Sequence, residues 1–315
     1  MLLRSCLIFL VTSRFAISIN PLPQICKFLS ILGFMIVFLD IDGTLVTYAN
    51  EIPSSAVEAI HLARENGHQV LVNTGRSKAE ISGRIWDIGI DGMIGANGGY
   101  VEYQGKVIYH ENIPTDTVAL LREHFIANEV AYYLECNSGL FSSDRFEHKA
   151  RDAVLAYLPP ADRAKITEDF QVTDVFTGLI LGQDDTRNGV NKISYVLPPD
   201  GDGFFASLQA NFPDLYHGTW GGHEGKKLFG DVRPAGITKA HAIHTLLGYL
   251  ADTNEPAPTT VAFGDAVPDL PMFEACDVSV AMGNATDEVK TQASYFTDDV
   301  TADGLAAGFS QVGLI

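Results

Sequence analysis

The sequence predicts an α/β fold with a doubly wound parallel sheet. Three apolar segments support this prediction, because each ends in a short polar motif: residues 35–39, 69–73 and 261–264. Between the first two, Ser55 and Glu58 have the spacing of a helix N-terminal capping box, and apolar residues follow at helical intervals. A strand, a helix and a second strand in this order form a right-handed crossover unit. Ligands of such sheets bind beyond the carboxyl ends of the strands, where we expect the polar motifs to meet.

The first polar motif places two carboxylates directly after the first strand. Residues 35–44 read MIVFLDIDGT, so Asp40 and Asp42 are two positions apart, and Thr44 follows the turn at Gly43. Alternate side chains of an extended chain point to the same side, so both carboxylates are expected in one polar site. Two acids at the end of a buried strand favour a hard cation such as Mg²⁺. The alternative is an exposed strand-end turn, where Asp and Gly are common.

The second motif, Thr74-Gly75-Arg76, follows the second strand. The Thr74 hydroxyl can donate a hydrogen bond to a phosphate oxygen, and Gly75 permits the turn. The Arg76 guanidinium can lie near an anion or face solvent. Taken alone, the tripeptide favours a structural turn. Its position after a strand–helix–strand unit favours a binding loop.

Two later segments supply a lysine and two more acids. Thr238 is expected to cap a helix whose first turn contains Lys239. An ammonium at a helix N-terminus opposes the helix dipole, so a purely structural reason for this lysine is lacking. A solvated surface lysine is the alternative. Further along, Asp265 follows the third strand, and Asp269 comes one helical turn later.

Taken in order, the four motifs resemble those of the haloacid dehalogenase (HAD) superfamily of phosphohydrolases. The resemblance covers residues 35 to about 310 and implies a Rossmann-like core. It implies that Asp40 is the nucleophile and that Asp42 is the general acid and base. The ammonium of Lys239 would offset phosphate and carboxylate charge.

Within this superfamily, the chain resembles the Cof-like branch, which has a type IIB cap. The residues that carry this resemblance are 279–293, Asp303-Gly304 and the Asn97-Gly98 step. In that branch a large α/β cap domain is inserted between the second and third motifs. The chain departs from the pattern at Pro268, where relatives usually have Asn, so one hydrogen bond to phosphate or substrate is expected to be lost.

The resemblance also implies a set of binding residues. Phosphate or substrate would be bound by Thr44, Thr74, Gly75, Arg76 and Asn97. Mg²⁺ would be bound by Asp40, the backbone carbonyl of Asp42 and Asp265, with Asp269 supporting the cation or its waters. An Asn-Gly step is also a common hairpin turn, so that role for Asn97 has an alternative.

The function implied is a Mg²⁺-dependent phosphatase. It would hydrolyse a small phosphorylated metabolite, such as a sugar phosphate, through an aspartyl-phosphate intermediate. Two alternatives stay open at this point. One is a phosphomutase, which would share every motif and pass the phosphoryl group to a sugar hydroxyl. The other is a weakly catalytic protein that binds a phosphorylated ligand, which the departure at Pro268 motivates.

The motif positions predict the domain organisation. Residues 35–113 and 228–315 are expected to form the catalytic core, and residues 114–227 the α/β cap domain. Residues 1–34 are an atypical N-terminal extension, because they contain basic residues but no acid. Their apolar stretch is too short for a membrane helix. A mis-assigned translation start and a targeting segment are the two interpretations of this extension, with the first preferred.

Composition restricts the partners. The chain has 39 acidic and 21 basic residues, a net charge of −18, which argues against nucleic acid or an anionic membrane. The expected partner is a small phosphate monoester, bound by a monomer or a homodimer. Only Cys136 and Cys276 lie in the predicted domains, and the sequence has no Cys-x-x-Cys motif. A cytoplasmic location is therefore predicted.

Overall fold

The computed structural model describes residues 34–158, 163–176, 178–221, 227–253 and 257–315. Residues 1–33 of the predicted N-terminal extension lie outside these ranges. Within them, none of the helices combines the length and the apolar character needed to cross a membrane.

The described residues form both strands and α-helices. The strands are β1 (Met35–Leu39), β2 (Gln69–Asn73), β3 (Gly92–Gly95), β4 (Tyr100–Tyr103), β5 (Lys106–His110), β6 (Tyr132–Cys136), β7 (Gly139–Ser142), β8 (Leu179–Ile180), β9 (Val190–Val196), β10 (Leu215–Trp220), β11 (Phe229–Pro234), β12 (Thr259–Gly264), β13 (Val278–Ala281) and β14 (Tyr295–Phe296). The α-helices are α1 (Ser54–Glu65), α2 (Gly83–Asp87), α3 (Thr115–Ala127), α4 (Phe146–Tyr157), α5 (Gly201–Asn211), α6 (Lys239–Asp252), α7 (Leu270–Ala275), α8 (Asp287–Gln292) and α9 (Gly304–Gln311).

The core is an eight-stranded sheet in the order β14-β13-β12-β1-β2-β3-β4-β5. Its first six strands are parallel, and β3, β4 and β5 are joined antiparallel, with β4 and β5 forming a hairpin. Helices α1 and α9 cover one face, and α6, α7 and α8 cover the other. Because β1 lies between β12 and β2, the polar motifs that follow these three strands meet at one edge of the sheet. The doubly wound α/β prediction is confirmed.

A second, six-stranded sheet has the order β10-β11-β9-β6-β7-β8. Helices α3 and α5 pack on one of its faces, and α4 packs on the other. The predicted return to the core at residue 228 comes one strand too early, because β11 pairs with β9 and β10 of this second sheet. The glycine-rich segment 221–227, whose composition predicts a return hinge, lies outside the described residues except for its first and last positions. We therefore propose that the chain re-enters the core after Pro234.

The capping box predicted for α1 does not form. The helix begins at Ser54 after Pro53, and no side chain caps it. The hydroxyl of Ser55 donates instead to Asp303 Oδ1 over 2.6 Å, which ties the first helix to the start of the last one. A tertiary contact has replaced the local hydrogen bond that the S-x-x-E spacing predicts.

Candidate active site

Lys239 joins the first and fourth motifs. Its Nζ donates to Asp40 Oδ1 and to Asp269 Oδ1, each over 2.6 Å. The lysine lies in the first turn of α6, where the hydroxyl of Thr238 accepts from the backbone N–H of His241, as the capping prediction requires. Its side chain is 6% exposed, so the solvated-lysine alternative is wrong. The first turn of α6 therefore places a buried ammonium next to Asp40, the predicted nucleophile.

Asp265 receives three hydrogen bonds at the carboxyl end of β12. Thr44 Oγ1 donates to its Oδ1 over 3.2 Å. Tyr48 Oη and Asn284 Nδ2 donate to its Oδ2 over 2.5 Å and 3.2 Å. Asn284 Nδ2 also donates to the carbonyl of Gly43, so the turn after β1 is fixed to the fourth motif.

Three carboxylates lie close enough to bind one cation. Asp40, Asp265 and Asp269 each offer an oxygen within 4.8 Å of the others, and all three residues are buried. Both oxygens of Asp269 already accept hydrogen bonds, from Lys239 and from two backbone N–H groups. Asp40 Oδ1 and Asp265 Oδ1 each accept one hydrogen bond, from Lys239 and from Thr44, so each keeps a second lone pair for an ion. Carboxylate oxygens suit Mg²⁺, so the residues present fit this cation.

Burial changes the titration of this cluster. Removal from water, together with the charges of Asp269 and Asp42, raises the pKa of Asp40 to about 8 against the opposing effect of Lys239. Burial likewise raises the pKa of Asp265 to about 6, although hydrogen bonds from Tyr48 and Thr44 lower it. Both carboxylates are costly to ionise without a cation, as expected for acids that share a buried site.

The carboxylate of Asp42 is not one of the three that lie within 4.8 Å of one another, although its charge acts on Asp40. Its Oδ2 accepts from Arg76 Nε over 3.0 Å, and its Oδ1 accepts from Arg76 Nη2. The Asp42 side chain is 51% exposed. The chain does not stay extended after β1, because the backbone turns back on Ile41 through hydrogen bonds from residues 44–46. Arg76, which is predicted to contact phosphate, is thus paired with Asp42, which is predicted to be the general acid and base.

The second motif forms a compact loop beside the third strand. The backbone N–H of Arg76 donates to Thr74 Oγ1 over 3.2 Å, and that of Asn97 donates to the carbonyl of Thr74 over 3.1 Å. A Cβ at Gly75 would lie 2.5 Å from Asn97 Oδ1, so any other residue there would require the Asn97 side chain to move. Asn97 lies in a 3-10 turn rather than in a hairpin turn. Thr74, Gly75 and Asn97 are thus brought together.

Three side chains of the site were not predicted. Tyr48 and Asn284 contact Asp265, and Asn73 ends β2 directly before Thr74. Asn73 is fully buried, and within the described ranges neither atom of its amide has a hydrogen-bond partner. Asn284 lies in the segment 279–293, which the sequence indicates as part of the family pattern. Tyr48 gives no local signal, because its contact depends on the fold.

The chain matches a family model over residues 37–309, and that family is the haloacid dehalogenase-like hydrolases. The chain belongs to the haloacid dehalogenase-like hydrolases. The matched range contains every site residue described above. The predicted HAD membership is confirmed, and with it the assignment of the chain to the hydrolases.

Individual relatives and solved structures agree with this membership. The YkrA protein of Bacillus subtilis (strain 168) is 26% identical over 297 residues, 89% of this chain and 98% of that protein. The pyridoxal phosphate phosphatase YbhA of Escherichia coli (strain K12) is 26% identical over 285 residues, 86% of this chain and 96% of that protein. The sugar phosphatase BT4131 of HAD subclass IIB is 25% identical, with a TM-score of 0.65 over 89% of this chain and all of that one. A crystal structure from Geobacillus kaustophilus HTA426 has a TM-score of 0.73 at 25% identity, over 90% of this chain and 100% of that one.

Proposed function

We propose that this HAD-like hydrolase is a phosphatase that releases phosphate from a small phosphate monoester, with Asp40 as the nucleophile. The observation that carries the proposal is the buried contact of Asp40 with Lys239 at the carboxyl end of β1, beside Asp265. The family membership and the names of the phosphatases YbhA and BT4131 support it. The leaving group would be a small metabolite, such as a sugar or a pyridoxal-type alcohol.

In this proposal Asp40 attacks phosphorus in line and displaces the alcohol oxygen. Lys239 occupies Asp40 Oδ1, so Oδ2 is the oxygen free to attack. The ammonium of Lys239 and the hydroxyl of Thr74 would stabilise charge on the phosphoryl group. The predicted phosphate contact of Thr44 is not part of this proposal, because the single hydroxyl proton of Thr44 is donated to Asp265. When bound, Mg²⁺ supplies further positive charge against the phosphate, and Asp40, Asp265 and the backbone carbonyl of Asp42 would hold it.

Asp42 is the proposed general acid and base. Its carboxylate faces Arg76 at the exposed rim of the site, where a leaving group would depart. It would protonate the departing oxygen and then deprotonate the water that attacks the aspartyl-phosphate on Asp40. Phosphate-ester hydrolysis is extremely slow without a catalyst, so positioning and electrostatics must supply most of the acceleration.

The experiment that tests this proposal combines a substrate panel with one isosteric variant. Purified protein with Mg²⁺ is assayed for phosphate release from a panel of phosphate monoesters. With the best substrate, Asp40→Asn should lower kcat by at least about 10³-fold, because the amide is a far weaker nucleophile. Asp152→Asn, on helix α4 of the second sheet, is the matched control and should keep full activity. Undiminished phosphate release by Asp40→Asn contradicts the proposed nucleophile.

A further inference from the structure

A lysine of the second sheet reaches the second motif of the core. Lys192 lies on β9, and its Nζ donates to the backbone carbonyl of Gly75 over 3.0 Å. The same Nζ lies 3.2 Å from Glu135 Oε2, and the lysine side chain is 13% exposed. A buried ammonium is costly unless it is paired and hydrogen-bonded, and Lys192 meets this condition with one partner in its own sheet and one in the core.

The second sheet itself orients this lysine. Glu135 on β6 is paired directly with Lys192 in the antiparallel β6–β9 register. Glu135 is fully buried, and its Oε1 accepts a hydrogen bond of 2.6 Å from Ser194 Oγ. Ser194 lies two positions after Lys192 and therefore on the same face of β9. The ammonium is held by its own sheet and projects toward the core.

Neutral contacts next to Lys192 already join the second sheet to the core. Asn191 Nδ2 donates to Ser77 Oγ over 2.9 Å, and Asn191 Oδ1 lies 2.8 Å from His110 Nε2. Asn137 adds a further link, because its Oδ1 accepts from the backbone N–H of Lys78 over 3.2 Å. Glu80 of the core also faces this site, because its charge acts on both Glu135 and Lys192, so the ammonium offsets two carboxylates in addition to its contact with Gly75.

The peptide group that Lys192 contacts is also part of the Thr74 loop (residues 74–76). Its carbonyl, on Gly75, accepts from Lys192, and its N–H, on Arg76, donates to Thr74 Oγ1 over 3.2 Å. Donation to the carbonyl polarises the amide and strengthens its N–H as a donor. Because Thr74 Oγ1 accepts this N–H, its own O–H is left to donate to another group. One chain of hydrogen bonds thus links Lys192 to the Thr74 hydroxyl.

We propose that Lys192 is a positioning residue. It would couple closure of the cap, the part of the chain that contains the second sheet, to phosphate binding by the Thr74 loop. With the cap closed, the ammonium fixes the Gly75–Arg76 peptide and so directs the Thr74 hydroxyl at a phosphate oxygen. With the cap withdrawn, the peptide loses this partner and the hydroxyl loses its alignment. This inference rests on the proposed phosphatase activity. Substrates that permit cap closure would gain rate, because alignment of reacting groups is worth orders of magnitude.

The test uses steady-state kinetics with p-nitrophenyl phosphate at saturating Mg²⁺. Lys192→Met keeps the unbranched chain and removes the ammonium, and we expect kcat to fall about 10-fold with KM changed by less than about 2-fold. Lys149→Met is the matched control. Lys149 lies on α4, and its Nζ contacts the backbone carbonyl of Glu129. This control should keep the wild-type kcat and KM.

A rescue experiment tests whether the missing ammonium itself causes the loss of kcat. Lys192→Cys, alkylated in urea with 2-bromoethylamine and refolded, regains an ammonium at nearly the original distance, and kcat should recover at least about 3-fold. Wild-type protein treated in the same way is the control. This comparison also decides the matter where Lys192→Met does not fold.

Three results would overturn the inference. The first is an unchanged kcat in Lys192→Met, and the second is a low kcat that alkylation does not restore. The third is a raised KM at unchanged kcat, which would mean that the ammonium binds the substrate directly. A wild-type chain that releases no phosphate from any monoester would instead overturn the proposed function on which the inference rests.

Discussion

The hydroxyl of Tyr48 makes the shortest hydrogen bond described here for Asp265, at 2.5 Å. The ring of Tyr48 is largely exposed, so the residue contributes little to the core. Groups that hydrogen-bond a metal-binding carboxylate orient it and tune its affinity for the metal. At the scale of single residues, Tyr48 is therefore expected to act on the proposed Mg²⁺ site rather than on folding.

Replacing Tyr48 by phenylalanine tests this role. Tyr48→Phe should raise the Kd for Mg²⁺ by about 10-fold, because one orienting hydrogen bond to Asp265 is lost. The melting temperature should change by less than about 2 °C, since the ring is retained and exposed. Isothermal titration with MgCl₂ measures the first effect and thermal unfolding the second. Tyr216→Phe, an exposed tyrosine of β10, is the control, and equal Mg²⁺ affinity in both variants would refute the role.

Sequence distance decides which site residues could be predicted. Asp40, Thr74 and Asp265 end apolar strands, and this pattern is visible in short stretches of sequence. Tyr48 contacts Asp265 across 217 positions, and Lys192 contacts Gly75 across 117. Such contacts depend on how the sheets are arranged, so no local pattern indicates them.

The fourth motif shows how one short element positions several groups. Residues 267–269 form a 3-10 turn with Pro268 at its centre, and α7 follows directly. Asp269 Oδ2 accepts from the backbone N–H groups of Asp265 and Ala266, and its own N–H donates to the carbonyl of Ala266. None of these hydrogen bonds uses the backbone nitrogen of Pro268. The turn therefore tolerates proline, and the cost of the substitution is confined to the absent Asn side chain.

Restoring that side chain should raise activity. In Pro268→Asn the turn is expected to persist, and the added amide should raise kcat/KM about 3-fold or more through one hydrogen bond to phosphate or substrate. Stability should fall by about 0.5–1 kcal/mol, because proline restricts the unfolded chain. Pro268→Ala is the control, since it loses the ring without gaining an amide. A similar kcat/KM in the two variants would exclude the amide as the cause.

Secondary-structure elements were predicted well where their pattern is local. Thr238 caps α6, as the sequence predicts. The assignment of β11 to the core was wrong, because a strand's sequence does not reveal which of two sheets it will join. The capping box predicted for α1 does not form, because the hydroxyl of Ser55 donates to Asp303, a residue that is distant in the sequence.

For the molecule as a whole, the buried acids link folding, pH and the proposed metal. The pKa of Asp265 is raised from 3.8 to about 6, so the folded protein binds more protons than the unfolded chain between these values. Stability from this residue is complete below about pH 4 and is lost as pH rises through about 6. A cation that binds the ionised carboxylates would offset this loss.

This linkage predicts a pH trend in the presence of EDTA. The melting temperature of the wild type relative to Asp265→Asn should fall by roughly 5 °C between pH 4 and pH 7, because Asn has no charge to bury. Adding Mg²⁺ should stabilise the wild type more at pH 7 than at pH 4.5, and should stabilise the variant little at either pH. Thermal unfolding at stepped pH measures both effects. A difference between the proteins that does not vary with pH would contradict the linkage.

The order β12-β1-β2 has a consequence for biosynthesis. Strand β1 leaves the ribosome early, but β12, which must insert beside it, is translated after the whole second sheet. One side of β1 on the nascent chain consequently stays without a hydrogen-bonding neighbour, and an open strand edge of this kind invites aggregation. Growing polypeptides of this protein are thus expected to engage chaperones until translation passes Gly264.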